Sequence, residues 1–344
     1  VKLAELSLDS ELLWLVTMGP GFGESIVVAI PGHVGLDWIV VDSLRCQDSK
    51  GDFNPALALL MSNNARLAAI ALTHPHRDHV RGMVQLLDLR SPGTPVGCLP
   101  AYLKADPAWQ PTDDAGEVLD RGASAAAFNR IDEIWRNEPK SRWELVAGET
   151  QQVGAATLEV LHPAVIPDRR PRDLNRLSSP ILVEWKECRV LLGADLPNTG
   201  WKKVSTSHPR AATLSRSAAL KASHHGSGTA QHRVAIGAPP PSDRFCVVTP
   251  FNRGKPLPDY GDGQGIDLIL RSHTQVCVTA VPAEARGVET PRARLAARHG
   301  SFGEFQLAYE LPPAVPQEAW VAVGLDGSGA EVKRLQGAAA GSVA

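Results

Sequence analysis

The segment Thr73-His74-Pro75-His76-Arg77-Asp78-His79 constrains this chain more than any other. It places three imidazoles and one carboxylate within six residues, directly after the apolar run Leu67 to Leu72. A continuous apolar run of that length reads as a buried strand, and Val80, Met83, Val84, Leu86 and Leu87 approximate helical spacing after the cluster. The cluster therefore lies in a loop between a buried strand and a helix, because ligands so close in sequence converge only where the backbone turns. His74 and His76, two apart in extended chain, project to one side and can hold one ion. Asp78 and His79, at the turn into the helix, can hold a second beside it. Imidazole and carboxylate donors without thiolates suit zinc and also manganese or iron, of which zinc or manganese is expected. Two divalent ions about 3.5 to 4 Å apart clamp a hydroxide and an ester or phosphoryl oxygen together, which favours hydrolysis over redox chemistry.

Such a centre needs further ligands from other strand ends. Asp195 follows the apolar Leu191-Leu192 and could bridge both ions, although an Asp two residues before Pro197 also suits a helix cap. His224 and His225 follow the strand Leu220 to Ala222. Adjacent residues of an extended chain point to opposite sides, so one histidine binds metal and the other faces substrate; His224 is assigned to the metal and His225 to catalysis, with Asp78 and Lys221. Lys221 and Ser227 flank the pair and could stabilise developing negative charge, or equally be a surface lysine and a turn serine. After a further strand, Asn252, Arg253 or Lys255 could reach an anionic substrate. The turn Gly19 to Gly23 lacks a following Lys-Ser/Thr and joins two strands, so it is a tight turn near the metal-bearing edge and not a phosphate cradle.

Strands are also expected at Leu12 to Thr17, Ser25 to Ile30, Trp38 to Val41, Ile181 to Trp185, Arg189 to Leu192, Phe245 to Val248, Val276 to Ala280 and Phe305 to Tyr309. Helices are expected at Pro55 to Met61, Ala123 to Trp135 and Ile266 to Ser272. Strands with a few helices in each half suit two sheets packed face to face with helices outside, an α/β fold in the four-layer αββα arrangement. One domain over 1–312 is expected, with 313–344 as a partly disordered extension whose small residues from Gly337 form a frayed tail.

The 344 residues are 43% hydrophobic and 21% charged, enough for a large core, and the net charge of −2 excludes a general basic surface for nucleic acid. Any such contact must be local. Arg169, Arg170, Arg172 and Arg176 form one basic patch, readable as a nucleic-acid contact or as a solvated loop. Five scattered cysteines without a C-x-x-C pair argue against a disulfide framework and a zinc knuckle. With no apolar run long enough for a membrane span, a soluble cytoplasmic protein is expected.

The pattern H-x-H-x-D-H, then a strand ending in Asp, then a strand ending in His, resembles the metallo-β-lactamase superfamily. Gly21-Phe22-Gly23-Glu24-Ser25, Ile39-Val40-Val41-Asp42-Ser43 and Leu220-Lys221-Ala222-Ser223-His224-His225-Gly226-Ser227 are similar to elements of its competence-type (ComEC-like) branch, over about Leu12 to Pro250. The resemblance implies a hydrolase, with phosphodiester cleavage of DNA or RNA as the leading activity. It gives metal roles to His74, His76, Asp78, His79, Asp195 and His224 or His225, and a supporting role to Asp42. Many relatives carry another ligand histidine before the bridging Asp. Here only His162 lies in that interval, while Asn175 to Ser179 resembles the Asn-Ser element of the competence-type branch. One ion is therefore expected to have an incomplete ligand set. Such chains also resemble accessory hydrolases encoded beside bacterial anti-phage proteins. Two other readings stay open: a small-molecule ester, lactone or thioester hydrolase, and a binding subunit for an operon-encoded partner whose metal site is not catalytic.

Overall fold

Strands buried at every position need cover on both faces, and several here are of that kind. In Leu13–Met18 and Ser25–Pro31 all but the last residue of the second strand are buried. Leu13, Leu15, Ile26, Val28, Ile39 and Val41 face one way, into a layer shared with Leu158, Val160, Val183, Val190, Leu192 and Val247 of a second sheet. Trp14, Val16, Met18, Val27, Ala29 and Val40 face the other way, against helices. The computed structural model describes residues 2–48, 51–103, 121–165, 173–239, 242–251, 257–259, 263–280 and 316–342.

The first sheet runs Glu331–Gln336, Trp320–Leu325, Leu13–Met18, Ser25–Pro31, Leu36–Val41, Arg66–Leu72, Val96–Cys98, Arg142–Glu144 in spatial order. The second runs Gly341–Ser342, His273–Val278, Ser242–Val248, Ala219–Lys221, Cys188–Leu192, Ile181–Trp185, Ala156–Val160, Thr150–Val153. Helix Pro55–Ser62 starts at Asn54, whose side chain accepts from Leu57 N at 3.2 Å, with proline in the first turn. Helix Arg121–Asn137 turns Ala127, Phe128, Ile131, Ile134 and Trp135 onto the outer face of the first sheet, one stripe at helical spacing. On the second sheet, Trp201 and Val204 of Asn198–Ser207 and Ile266 and Ile269 of Gly265–Ser272 cover Leu182, Leu191, Leu220 and Cys246. The result is helix, sheet, sheet, helix, the αββα order expected. Among the described residues no helix is long and apolar enough to cross a membrane. The five cysteines are buried, and no disulfide joins them.

The expectation for 313–344 needs correction. Trp320–Leu325 lies inside the first sheet, antiparallel to Leu13–Met18 with Leu13 opposite Leu325. Its residues alternate cleanly: Trp320 and Ala322 face the helices, Val321, Val323 and Leu325 the space between the sheets. Gly341–Ser342 then pairs with the edge of the second sheet, so the part of the tail read as frayed crosses between layers. The strand expected at Phe305 to Tyr309 lies outside the described residues.

Within each sheet four consecutive strands are parallel: Leu36–Val41, Arg66–Leu72, Val96–Cys98 and Arg142–Glu144 in the first, Cys188–Leu192, Ala219–Lys221, Ser242–Val248 and His273–Val278 in the second. Parallel strands end at one edge, and the loops leaving that edge are where an α/β sheet gathers its functional groups. Asp42, His74, Asp195, His224, His225 and Thr249 all follow such ends closely.

At the opposite end of the same sheet, His273 opens its strand with the imidazole buried. Nδ1 donates to Ile269 O at 3.1 Å, and burial, helped by nearby Arg244, pushes the pKa down to about 4. The unfolded chain then binds more protons between the ordinary value near 6.5 and 4, so stability falls as pH drops through that window. A His273→Asn variant should lose about 1 to 2 kcal/mol less than the unmodified chain between pH 7 and pH 5, in urea unfolding followed by circular dichroism. Equal losses would show that His273 does not carry the effect.

Candidate metal centre

The backbone around the cluster is strained at several points at once. Asp42, Ala194, His224 and His225 adopt φ of 57°, 45°, 46° and 52°, in the left-handed region that residues with a Cβ rarely enter. Each stands in a loop leaving a parallel strand, where the chain must turn sharply to aim a side chain back over the sheet edge. Gly23 adds a close approach: a Cβ there would sit 2.7 Å from Asp78 O. Only glycine lets the turn Gly21–Gly23 lie against the histidine loop, where Glu24 N donates to Asp78 O at 3.1 Å.

Among the described residues, three sets of ligand atoms lie close enough to hold a metal ion: His74, His76 and Asp195; Asp78, His79, Asp195 and His225; and Asp42, His74 and His79. The first two share Asp195, whose Oδ2 is 3.6 Å from His74 Nε2, 3.4 Å from His79 Nε2 and 3.7 Å from His225 Nε2. Asp78 Oδ2 lies 3.0 Å from His225 Nε2 and 3.4 Å from His79 Nε2. Asp42 is engaged otherwise. Its Oδ1 accepts from Thr73 N at 2.8 Å, and its Oδ2 accepts from Thr73 Oγ1 at 2.6 Å and from His79 Nδ1 at 2.8 Å.

These partners fix the histidine tautomers. A carboxylate or carbonyl oxygen only accepts, so His79 Nδ1 carries its proton towards Asp42, and His225 Nδ1 donates to Thr249 O at 3.1 Å. Thr73 Oγ1 gives its own proton to Asp42 and so can only accept from His74 Nδ1, 3.0 Å away. With Nδ1 engaged behind, all three rings turn Nε2 towards Asp195, the orientation that partners behind a metal-bound histidine enforce. His74 Nε2, His79 Nε2 and Asp195 Oδ1 are buried without a hydrogen-bond partner, which suits an ion between them.

The charge balance points the same way. Asp42, Asp195 and Glu24 are almost fully buried, and Asp78 nearly so, against Lys221, the single buried lysine among the described residues. Burial opposes ionisation of Asp78 and Asp195, yet His79, with His225, outweighs it and holds both carboxyls well below their ordinary value. Burial likewise disfavours charge on His79, but Asp78, Asp195 and Asp42 hold its pKa well above the usual value. His74 is driven well below it by burial and by His79. Carboxylates that pull positive charge onto Nε2 of a buried imidazole set up a field that a divalent cation answers.

The structure brings together His74, His76, Asp78, His79 and Asp195 as expected, but exchanges the two later histidines. His225 joins the ligand set. His224 Nε2 is 4.0 Å from Asp195 and accepts from Asn175 Nδ2 at 3.3 Å, which occupies the lone pair a metal would need. The opposite-sides rule fails because both residues are left-handed and not extended. Lys221 is corrected too: its Nζ is fully buried and paired with Glu24, out of reach of a substrate oxyanion. Ser227 is a turn serine, donating to Asp259 Oδ2 at 3.2 Å and capping Thr229 N. Asp195 does not cap the next helix, which begins after Pro197. His162 donates from Nδ1 to Ser178 O at 3.2 Å and belongs to none of the three ligand sets. Arg176 pairs with Asp173 at the surface, while Arg169, Arg170, Arg172, Asn252, Arg253 and Lys255 lie outside the described residues. Sequence reasoning gave no role to Thr73, Thr249 or Glu24; the quoted turn Gly21 to Ser25 was the one signal that could have pointed to Glu24.

No family model matches the chain, and no curated protein does. Among solved structures, a metallo-β-lactamase bound to 2-mercaptoethanesulfonate is 15% identical over 60% of this chain and 76% of its own, with a TM-score of 0.39. The metallo-β-lactamase-fold protein YhfI of Bacillus subtilis is 12% identical over 61% and 70%, TM-score 0.32. Zn²⁺-bound PqqB of Methylobacterium extorquens is 13% identical over 60% and 71%, TM-score 0.32. Of three further lactamase structures the chain spans only 60–61%. Overlaps this loose carry no functional weight; the ligand geometry carries it.

A shared carboxylate makes the two positions unequal to mutation. Asp195→Ala should strip metal from both, whereas His76→Ala should lower the content by one ion, read by elemental analysis of the purified protein. Equal losses in the two variants would remove Asp195 from its bridging place.

Proposed function

We propose that this chain is a metal-dependent hydrolase with a dinuclear centre, acting on phosphodiesters. The observation that carries the reading is the meeting of two buried ligand sets on one carboxylate, Asp195. Two divalent ions there, zinc or manganese, would supply Lewis acidity and a water acidified towards neutrality. His74, His76 and Asp195 would hold one, and Asp78, His79, Asp195 and His225 the other.

The remaining work falls to side chains at the mouth. Asp78 and His224 retain 15% and 13% of their side-chain exposure, against 0–2% for His74, His79, Asp195 and His225. Asp78 is thus the more exposed of the two ligand carboxylates, placed to orient an attacking water. His224, braced by Asn175, replaces His225 as the histidine at the mouth, where it would pack beside the substrate. The phosphodiester assignment draws on the likeness of Leu220 to Ser227 to the competence-type element.

Elemental analysis followed by assays with Mn²⁺, Mg²⁺ and Zn²⁺ on single- and double-stranded DNA and RNA, a chromogenic phosphodiester, lactones and thioesters tests this directly. Asp78→Ala and His79→Ala should each cost about a thousandfold or more in turnover, roughly 4 kcal/mol of transition-state stabilisation. Undiminished cleavage in both variants would sink the proposed site, and hydrolysis confined to lactones or thioesters would sink the phosphodiester assignment. Full metal content with no turnover, and stable association with an operon-encoded neighbour, would make the chain a binding subunit instead.

A further inference from the structure

Behind the metal centre lies an ion pair that the proposed chemistry does not use. Glu24 and Lys221 are both fully buried and paired through Glu24 Oε2 and Lys221 Nζ. Removing two charges from water costs several kcal/mol per ion, and apolar residues of the same size commonly replace such a pair at no loss of stability. Packing alone gives no reason for it here.

Its position does. Glu24 Oε2 lies 3.4 Å from His225 Nδ1, and Oε1 lies 3.8 Å from His79 Nδ1, so one carboxylate stands behind both histidines of the second ligand set. Thr249 links it to one of them: Thr249 Oγ1 donates to Glu24 Oε2 and, having spent its proton, accepts from His225 Nδ1 at 3.1 Å. The main chain of Glu24 also grips Asp78, the third member of that set, through its N–H. His74 is backed differently, by Thr73 and Asp42.

We propose that the Glu24–Lys221 pair, acting through Thr249, is a positioning device for one ion only, the one held by Asp78, His79 and His225. The inference rests on the metal reading above. With Asp42 and Thr249 taking the Nδ1 protons of His79 and His225, Glu24 adds negative charge behind both rings and makes their Nε2 atoms better donors. Lys221 offsets the charge of this further carboxylate beside Asp42, Asp78 and Asp195, which lets it remain buried.

The test is a titration of the 344-residue chain with Co²⁺ alone, followed by visible absorption and by chelator competition. The E24Q/K221M variant is neutral and near-isosteric, and should keep its melting temperature. It should bind one Co²⁺ about 10- to 100-fold more weakly with altered visible bands, while the other affinity stays within about threefold. Thr249→Val, which removes only the linking hydroxyl, should weaken the same ion, and Thr249→Ser should restore it. If E24Q/K221M fails to fold, the threonine pair of variants decides the matter. Unchanged affinities and spectra, or equal weakening of both ions, would overturn the positioning role. A chain that takes up no Co²⁺ in unmodified form would instead overturn the metal reading on which it rests.

Discussion

The structure depends on the burial of several carboxylates at one edge of two packed sheets. Asp42, Asp78, Asp195 and Glu24 converge there against a single lysine among the described residues, and buried charge of one sign is the most expensive thing a fold can carry. The neighbouring imidazoles soften the cost, and the displaced pKa values of Asp78, Asp195 and His79 show how strongly the groups lean on one another. Divalent cations would settle the balance outright. The sandwich around the site, with its dry interior of Val, Ile and Leu from both sheets, serves to hold those carboxylates in a low-dielectric place where they act most strongly on whatever lies between them.

Convergence from two sheets explains the strained turns. Asp42 and the His74–His79 loop leave the first sheet; Asp195 and His225 leave the second. For side chains from separate layers to meet within hydrogen-bond reach, each loop must turn back over the edge within two or three residues. Left-handed conformations at Asp42, Ala194, His224 and His225 do this, at about 1 kcal/mol or more apiece. The surrounding packing fixes the geometry: Trp201 Nε1 donates to Ser223 Oγ at 3.0 Å and Ser223 Oγ to Gly193 O at 3.2 Å, tying the His225 loop to the Asp195 loop.

What could be read from the sequence follows the range of the forces involved. Local patterns were legible: the buried strand before His74, the cluster itself, the alternating and helical runs that imply four layers, and Asp195 as a strand-end carboxylate. The C-terminal strand was missed because Trp320–Leu325 is stabilised by pairing with Leu13–Met18, some 300 residues away in sequence. Lys221 was misread for a similar reason. A lysine beside a histidine pair resembles an oxyanion donor until Glu24, nearly 200 residues upstream, is found against it. The roles of His224 and His225 were exchanged because alternation holds only in extended backbone, and nothing local in the sequence announces two successive left-handed residues.

The same exchange makes the centre asymmetric in a way that bears on its chemistry. The set that gains His225 has four protein ligands, with Asp42 and Glu24 behind its histidines; the set of His74, His76 and Asp195 has three, because His162 turns to Ser178 and Asn175 engages His224. An ion with four anchored ligands is held in place, whereas one with three keeps a position open, and an open position is what separates catalytic metal sites from structural ones. A three-ligand set would therefore suit the hydrolase proposed above. On that proposal an oxygen of the substrate would meet the His74–His76 side, while Asp78, in the four-ligand set, would orient the incoming water.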